Sequence, residues 1–161
     1  MFIFISMLKS AEERESIINK ALHYFNEEGW NCAESVCITM FGDYYKEPVN
    51  PQCVTALGGG KVGKCGAVTV AEMAISKKYG RTSPEQTNSI ASGALQKFHD
   101  VLFEKYGSLV CIELKRYLES ERKKIKPDLN ADGKVCTPLV EDVMRAVLYV
   151  VEGFEPPDFK I

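Results

Sequence analysis

The sequence predicts an all-α protein, a single-domain helical bundle of about six to seven helices. Apolar residues recur at helical spacing along most of the chain, and residues typical of helix starts precede these stretches. Apart from the short N-terminal arm, no segment alternates as a strand does. The 161 residues, of which 45% are apolar, suffice for one hydrophobic core. We expect an N-terminal arm over residues 1–9, a helical domain over 10–152 and an extended tail over 153–161.

The first two helices are predicted from their N-terminal capping residues. Ser10 and Glu13 form a capping box for a first helix that ends at Gly29. Asn31 and Glu34 form the corresponding signature of a second helix, which continues to about residue 41. The apolar positions of the first helix are Ile17, Ile18, Ala21, Leu22 and Phe25.

The third helix is short and the fourth is predicted to be central. Asn50-Pro51 starts the third, because proline is favoured at the first helical position. The fourth runs from Cys65 to Tyr79 and is closed by Gly80. It is apolar almost all round, which is typical of a helix in the middle of a bundle. Its thin polar stripe consists of Thr69, Glu72 and Ser76.

Three longer helices complete the predicted bundle. Residues 83–86, Ser-Pro-Glu-Gln, predict the start of a fifth helix that ends near Tyr106. Gly107-Ser108 breaks the chain and caps a sixth helix. Residues 120–135 are charged and turn-rich, and Thr137-Pro138 starts the seventh helix. The apolar stripe of the fifth helix is Ile90, Ala94, Leu95, Phe98 and Leu102, and that of the seventh is Val140, Val143, Val147 and Val150.

The net charge of the chain and the length of its apolar runs argue against two classes of protein, those that bind nucleic acid and those that span a membrane. The net charge is −2 and the pI about 5.8, which argues against a broad basic surface for nucleic acid. No apolar run approaches the roughly 20 residues that span a bilayer. The apolar first residues also lack the charged region of a signal peptide. We predict a cytoplasmic protein with no nucleic-acid or membrane partner.

A glycine-rich turn precedes the fourth helix. Residues 58–65 read G-x-x-x-x-G-K-C, one residue from a phosphate-binding loop. However, no buried strand precedes the turn, and Cys65 stands where a Ser or Thr would bind Mg²⁺, so nucleotide binding is not predicted. The backbone amides of such a turn still face whatever lies at the helix start, and Lys64 adds a cation. We expect the sulfur of Cys65 to be the anion that they face.

Cysteines recur at the predicted helix starts. The chain has six cysteines and no C-x-x-C spacing. Four lie within about one turn of a predicted N-terminus: Cys32, Cys65, Cys111 and Cys136. The positive end of a helix stabilises a thiolate, the form that attacks disulfides and binds metals. Cys37 lies within a predicted helix, and we interpret it as an ordinary buried thiol. Cys53 also lies near a helix start, so position alone does not separate it from the four.

Other polar motifs favour structural roles. Residues 128–133 match the first half of a calcium-binding loop, but Leu139 occupies the position of the required Glu, so we predict a plain turn. Glu72 and Thr69 are interpreted as a solvated edge, with a proton relay as the alternative. His23 and His99 are expected to pack rather than to bind metal.

Four motifs occur in the order found in one family. They are the Asn-Cys-Ala-Glu-Ser-Val segment at 31–36, Cys-Gly-Ala-Val-Thr at 65–69, Tyr-Gly-Ser-Leu-Val-Cys at 106–111, and Cys136 before the last helix. Together they resemble the C_GCAxxG_C_C family of small redox-active proteins, over roughly residues 10–152. The family's redox role is itself inferred from its cysteines. The resemblance implies that its four characteristic cysteines are those at 32, 65, 111 and 136. Val70 stands where the central motif ends in glycine. Its larger side chain argues against close approach of another helix or a ligand at this position.

The leading hypothesis is thiol/disulfide electron transfer by these four cysteines, as in a thiol-dependent oxidoreductase without a cofactor. In this version Cys65 is the nucleophile and a second thiol resolves the mixed disulfide. The alternative is a binding module in which the same four sulfurs hold an iron–sulfur cluster or zinc. The third is a helical interaction domain with incidental thiols. A redox partner protein or a small thiol or disulfide is expected; the sequence does not identify it, nor decide whether a homodimer forms.

Overall fold

The structure, a computed structural model, describes residues 10–125 and 134–153. Its six α-helices are α1 Ala11–Asn26, α2 Cys32–Cys37, α3 Gly66–Tyr79, α4 Ser89–Tyr106, α5 Cys111–Ile125 and α6 Thr137–Glu152. A π-helix, Ile38–Tyr44, continues α2, and two short 3₁₀ turns follow at Pro51–Cys53 and Thr55–Leu57. No strand occurs in the described ranges, and the predicted all-α bundle is confirmed. The predicted arm, the half calcium loop and the tail beyond residue 153 lie outside the described residues.

The first two helices start as their capping residues predict. The side chain of Ser10 accepts the amide of Glu13, whose carboxylate accepts the amide of Ser10. Asn31 Oδ1 accepts the amides of Ala33 and Glu34 at 2.9 and 3.0 Å. Because these side chains satisfy amides that have no partner within the helix, they fix both starting points.

Three predicted boundaries differ from the structure. The helix predicted from 83–86 begins at Ser89 instead, because Gln86 accepts the amide of Thr82 at 2.7 Å and closes a local turn. The charged segment after residue 120 is helical to Ile125, with an ion pair between Lys124 and Glu121 one turn apart. The second predicted helix continues past residue 41 as the π-helix.

Helices α3 and α6 form the centre of the core. The residues of α3 at 67, 68, 70, 71, 74 and 75 have no exposed surface, and the predicted valine face of α6 is buried. The side chain of Val70 therefore occupies core space where the family motif has glycine. Tyrosine hydroxyls donate hydrogen bonds to backbone carbonyls in the C-terminal parts of these two helices. Tyr45 donates to the carbonyl of Ala74 in α3, and Tyr79 donates to that of Val150 in α6. None of the described helices combines the length and apolarity needed to cross a bilayer.

Polar side chains fix α6 against its neighbours. Arg145 donates two parallel hydrogen bonds to the Glu15 carboxylate of α1, at 2.6 and 2.9 Å. On the other side, buried Asp142 accepts the hydroxyl of Tyr106 at 2.5 Å and the ammonium of Lys105 at 2.8 Å. Since paired and hydrogen-bonded groups tolerate burial, these contacts set the position of α6 without leaving an uncompensated charge.

Hydrogen bonds connect helix starts at one end of the bundle. The amide of Cys65 donates to the carbonyl of Leu109 at 2.9 Å, and that of Cys111 to Gly63 at 2.7 Å. These two bonds join the starts of α3 and α5. Thr137 at the start of α6 donates to the Asn26 side chain at 2.7 Å, close to the loop that leads into α2.

The start of α3 also packs directly on α2 and the 3₁₀ turn. A Cβ added to Gly66 would lie 2.4 Å from the carbonyl oxygen of Leu57 and 3.1 Å from Cβ of Ala33. The Leu57 oxygen belongs to the backbone and the Ala33 Cβ to a short, rigid side chain, so moving either atom would disturb the surrounding packing. Glycine at this position therefore allows α2 and α3 to meet at their N-termini.

We expect Gly66→Ala to lower the free energy of unfolding by about 1–3 kcal/mol, the usual cost of overpacking. The control is Gly93→Ala within α4, where an added Cβ has no neighbour within 4 Å. It should raise the same free energy by about 0.5–1 kcal/mol through helix propensity. Urea unfolding followed by circular dichroism, with reductant present, measures both. Wild-type stability in Gly66→Ala would contradict the close packing of α3 on Leu57.

Candidate functional site

The four predicted cysteines all lie at helix starts in the structure. Cys32 and Cys111 are the first residues of α2 and α5, and Cys65 and Cys136 are the N-cap residues of α3 and α6. All are free thiols. The prediction that they lie within one turn of an N-terminus is therefore confirmed.

Cys32 and Cys65 form a hydrogen-bonded pair. The half-buried sulfur of Cys32 interacts with the thiol of Cys65, which is only 2% exposed. Amides of Gly59, Ala67 and Ala33 also donate to the Cys32 sulfur. The Cys65 bond is the largest cause, and together with these amides it outweighs burial and lowers the pKa of Cys32 to about 6. Cys32 is thus mostly a thiolate at neutral pH.

Cys65 has the opposite electrostatic character. Its bond to Cys32 raises its pKa well above the ordinary value, and burial adds to the effect. The amides of Val68 and Ala67 lower this pKa but do not offset the rise. These two pKa directions favour Cys32 rather than the predicted Cys65 as the thiolate of the pair.

Two contacts favour Cys32 over Cys65 as the thiolate. The ammonium of Lys64, expected to favour a thiolate at Cys65, donates to the Glu72 carboxylate. The amide of Gly59, in the glycine-rich turn, donates to Cys32 on the neighbouring helix. The turn therefore presents an amide to a sulfur, as predicted, but the sulfur belongs to a different cysteine.

Cys111 and Cys136 lie beside this pair. Cys111 packs under Gly60, whose φ is +76°, and a Cβ there would come within 2.9 Å of the Cys111 sulfur. Burial raises the pKa of Cys136 to about 11; Lys115 lowers it, whereas Cys32 and Cys111 raise it further. Cys136 therefore interacts electrostatically with both neighbours and is protonated at neutral pH.

The remaining two cysteines do not lie at the start of an α-helix. Cys37 is buried at the end of α2, and burial raises its pKa, with contributions from Cys53 and Glu34. Cys53 is exposed in the first 3₁₀ turn. The prediction that Cys37 is an ordinary buried thiol is confirmed.

The metal alternative requires several donor side chains around one site. Across residues 10–125 and 134–153, no three side chains of His, Cys, Asp or Glu are grouped as ligands of one ion. The four thiols, all in these ranges, do not form such a group.

Two polar interactions near the site are not signalled by sequence spacing. Glu72 accepts both Lys64 and His99, the latter at 2.6 Å, so the predicted solvated edge is a half-buried ion-pair cluster. Thr55 donates to Glu34 at 2.6 Å. Thr55 and Glu34 are 21 residues apart and His99 and Glu72 are 27 apart, so helical periodicity does not relate these pairs.

Comparison with known proteins gives one match. The model of a family described as "Putative redox-active protein (C_GCAxxG_C_C)" matches residues 30–149, a range that includes all four cysteines. This match confirms the resemblance noted from the sequence. No curated protein and no solved structure is significantly similar to the chain.

We expect Cys65→Ala to raise the pKa of Cys32 from about 6 toward the ordinary value of 9.0, because it removes the donated thiol hydrogen. Cys65→Ser is the matched control, since its hydroxyl can still donate and should keep much of the lowering. The measurement is the rate of Cys32 alkylation by iodoacetamide against pH, followed by mass spectrometry. Equal midpoints for wild type and Cys65→Ala would contradict the assigned hydrogen bond.

Stability should depend on pH through the same thiols. Between about pH 6 and 9, Cys32 is ionised when folded but protonated when unfolded, so the free energy of unfolding rises with pH, on the order of 1 kcal/mol per unit. Above pH 9 the raised pKa values of Cys65 and Cys136 reverse the trend. Urea unfolding at pH 6.5 and 8.5, with reductant, measures the rise. Cys32→Ser should abolish it and Cys53→Ser should retain it; a rise that survives Cys32→Ser would assign it to other groups.

Proposed function

The chain belongs to the C_GCAxxG_C_C family, and on that premise we propose that it is a thiol–disulfide exchange protein whose reacting pair is Cys32 and Cys65. One observation carries the proposal: a half-exposed sulfur accepts the hydrogen bond of a buried thiol where two helix starts meet. This arrangement supplies a nucleophile in its reactive form and a second thiol within reach of it.

The exchange has two steps. The Cys32 thiolate attacks one sulfur of a substrate disulfide, so that a mixed disulfide forms and the other substrate sulfur leaves as a thiolate. Cys65 then gives up its proton and attacks the Cys32 sulfur, releasing the second substrate thiol. Two electrons pass from the cysteine pair to the substrate. The proton of Cys65 and one from solvent protonate the two products, and an internal disulfide between residues 32 and 65 remains.

The other two characteristic cysteines are outside this first exchange. Cys136 is held protonated, which makes it a slow nucleophile at neutral pH. Cys111 is 8% exposed beneath the glycine-rich turn, so access by a substrate is restricted. We therefore assign the entering disulfide to Cys32, the half-exposed member of the pair.

The test is to incubate the reduced protein with glutathione disulfide, quench with acid and map the disulfides by mass spectrometry. We expect one internal disulfide, between Cys32 and Cys65. Cys32→Ser should abolish it, and Cys65→Ser should stop at a mixed disulfide on Cys32. The control variants Cys37→Ser and Cys53→Ser should react as the wild type does. A wild type that forms neither product contradicts the proposal.

The two other hypotheses predict different results. Protein purified without oxygen that carries one iron–sulfur cluster or zinc per chain, lost in Cys32→Ser, would assign the cysteines to metal binding instead. Alkylation of all four thiols at the slow rate of buried cysteines would make them incidental to an interaction domain. Fast alkylation of Cys32, but not of the other three characteristic cysteines, in metal-free protein supports the exchange proposal.

A further inference from the structure

A hydrogen bond between Glu34 and Thr55 connects the two segments that surround the Cys32 sulfur. Glu34 belongs to α2, and Thr55 begins the 3₁₀ turn that leads into the glycine-rich turn. We propose that both are positioning residues for Cys32, because their contact holds the glycine-rich turn against the start of α2. The inference rests on the proposed exchange at Cys32 and extends it to residues that do not touch the substrate.

Each carboxylate oxygen of Glu34 has a separate partner. Oε2 accepts the amide of Asn31 at 2.9 Å and so completes the capping box of α2. Oε1 accepts the hydroxyl of Thr55 at 2.6 Å. Glu34 is only 8% exposed, and a buried carboxylate is stable where such donors satisfy it. The capping box uses one oxygen alone, so the second bond is an additional function of this residue.

Asn31 extends the connection to the turn itself. Its Nδ2 donates to the carbonyl of Thr55 at 3.1 Å, parallel to the Glu34 contact. Its side chain also lies against Gly58, where an added Cβ would come within 2.4 Å of the Asn31 Cγ. The next residue is Gly59, whose amide donates to the Cys32 sulfur. The path from Glu34 to that amide thus consists of direct contacts.

The negative charge of Glu34 and the position of the turn that Glu34 holds have opposite effects on the pKa of Cys32. The titratable groups that act on the Cys32 sulfur are Cys65 from α3 and Cys136 from α6. The Glu34 carboxylate is negative, so its charge alone would oppose a thiolate two residues away. Removing the Thr55 hydroxyl changes no charge; it removes the bond to Glu34 and a longer one, at 3.2 Å, to the carbonyl of Pro51 within the same segment. A rise in the pKa of Cys32 after that change therefore reports position.

The experiment compares three variants of the full chain by the pH dependence of Cys32 alkylation. Thr55→Val should raise the pKa of Cys32 by about 0.5–1 unit and slow its alkylation near pH 6 by about two- to fivefold. Thr55→Ser, which keeps a hydroxyl, should restore the wild-type profile. Thr39→Val is the matched control, because Thr39 loses a similar bond, to the carbonyl of Ser35 at 2.8 Å, in the continuation of the same helix. It should leave the profile unchanged.

The outcomes separate this inference from the proposed function. Thr55 is exposed, so the valine variant leaves no cavity and should fold. If Thr55→Val lowers the free energy of unfolding but leaves the pH dependence of Cys32 alkylation as in the wild type, Thr55 has only a structural role. That result overturns the inference. An equal shift in Thr39→Val overturns it as well. A wild type that does not form the Cys32–Cys65 disulfide with glutathione disulfide refutes the proposed function, whatever the Thr55 variants show.

Discussion

The hydrogen bond from the Cys65 thiol to the Cys32 sulfur is the interaction on which the rest of the site depends. It is the largest influence on both pKa values, and it moves them in opposite directions. One proton cannot stabilise two thiolates, so the more accessible sulfur takes the charge and the buried one keeps the hydrogen. The contact requires α2 and α3 to meet at their N-termini, which Gly66 permits because it places no side chain against Leu57.

The remainder of the bundle keeps those N-termini in place. Helix α6 is fixed on one side by Arg145 and Glu15 and on the other by Asp142 and Tyr106. At its start, Cys136 interacts electrostatically with Cys32 at the start of α2. The ammonium of Lys134 donates to carbonyls at the end of α1 and in the loop that follows. Convergent helix starts present unpaired amides and positive dipole ends to one small region. Such a region favours a buried anion, and the thiolate is the anion that this sequence supplies.

Local signals predicted most of the fold and the cysteine positions, whereas tertiary contacts decided the chemistry. The capping boxes at Ser10 and Asn31 are complete within four residues, so the sequence alone identifies them. The start of α4 was misplaced because Gln86 serves a local turn rather than a cap. The choice between Cys65 and Cys32 as the thiolate depends on contacts that the sequence does not show. The amide of Gly59 and the thiol that act on Cys32 come from distant parts of the chain, and spacing does not show which of two nearby sulfurs they face.

The opposed pKa values also suit the order of the proposed exchange. While Cys32 is a thiolate, it holds the hydrogen of Cys65 and keeps that residue unreactive. Once Cys32 is bound in a mixed disulfide, its sulfur carries no charge and the largest cause of the raised pKa at Cys65 disappears. Burial still opposes ionisation, but the amides of Val68 and Ala67 continue to favour it. Cys65 therefore becomes a better nucleophile at the step that needs it. The hydrogen bond that activates the first cysteine thus delays the second until the first has reacted.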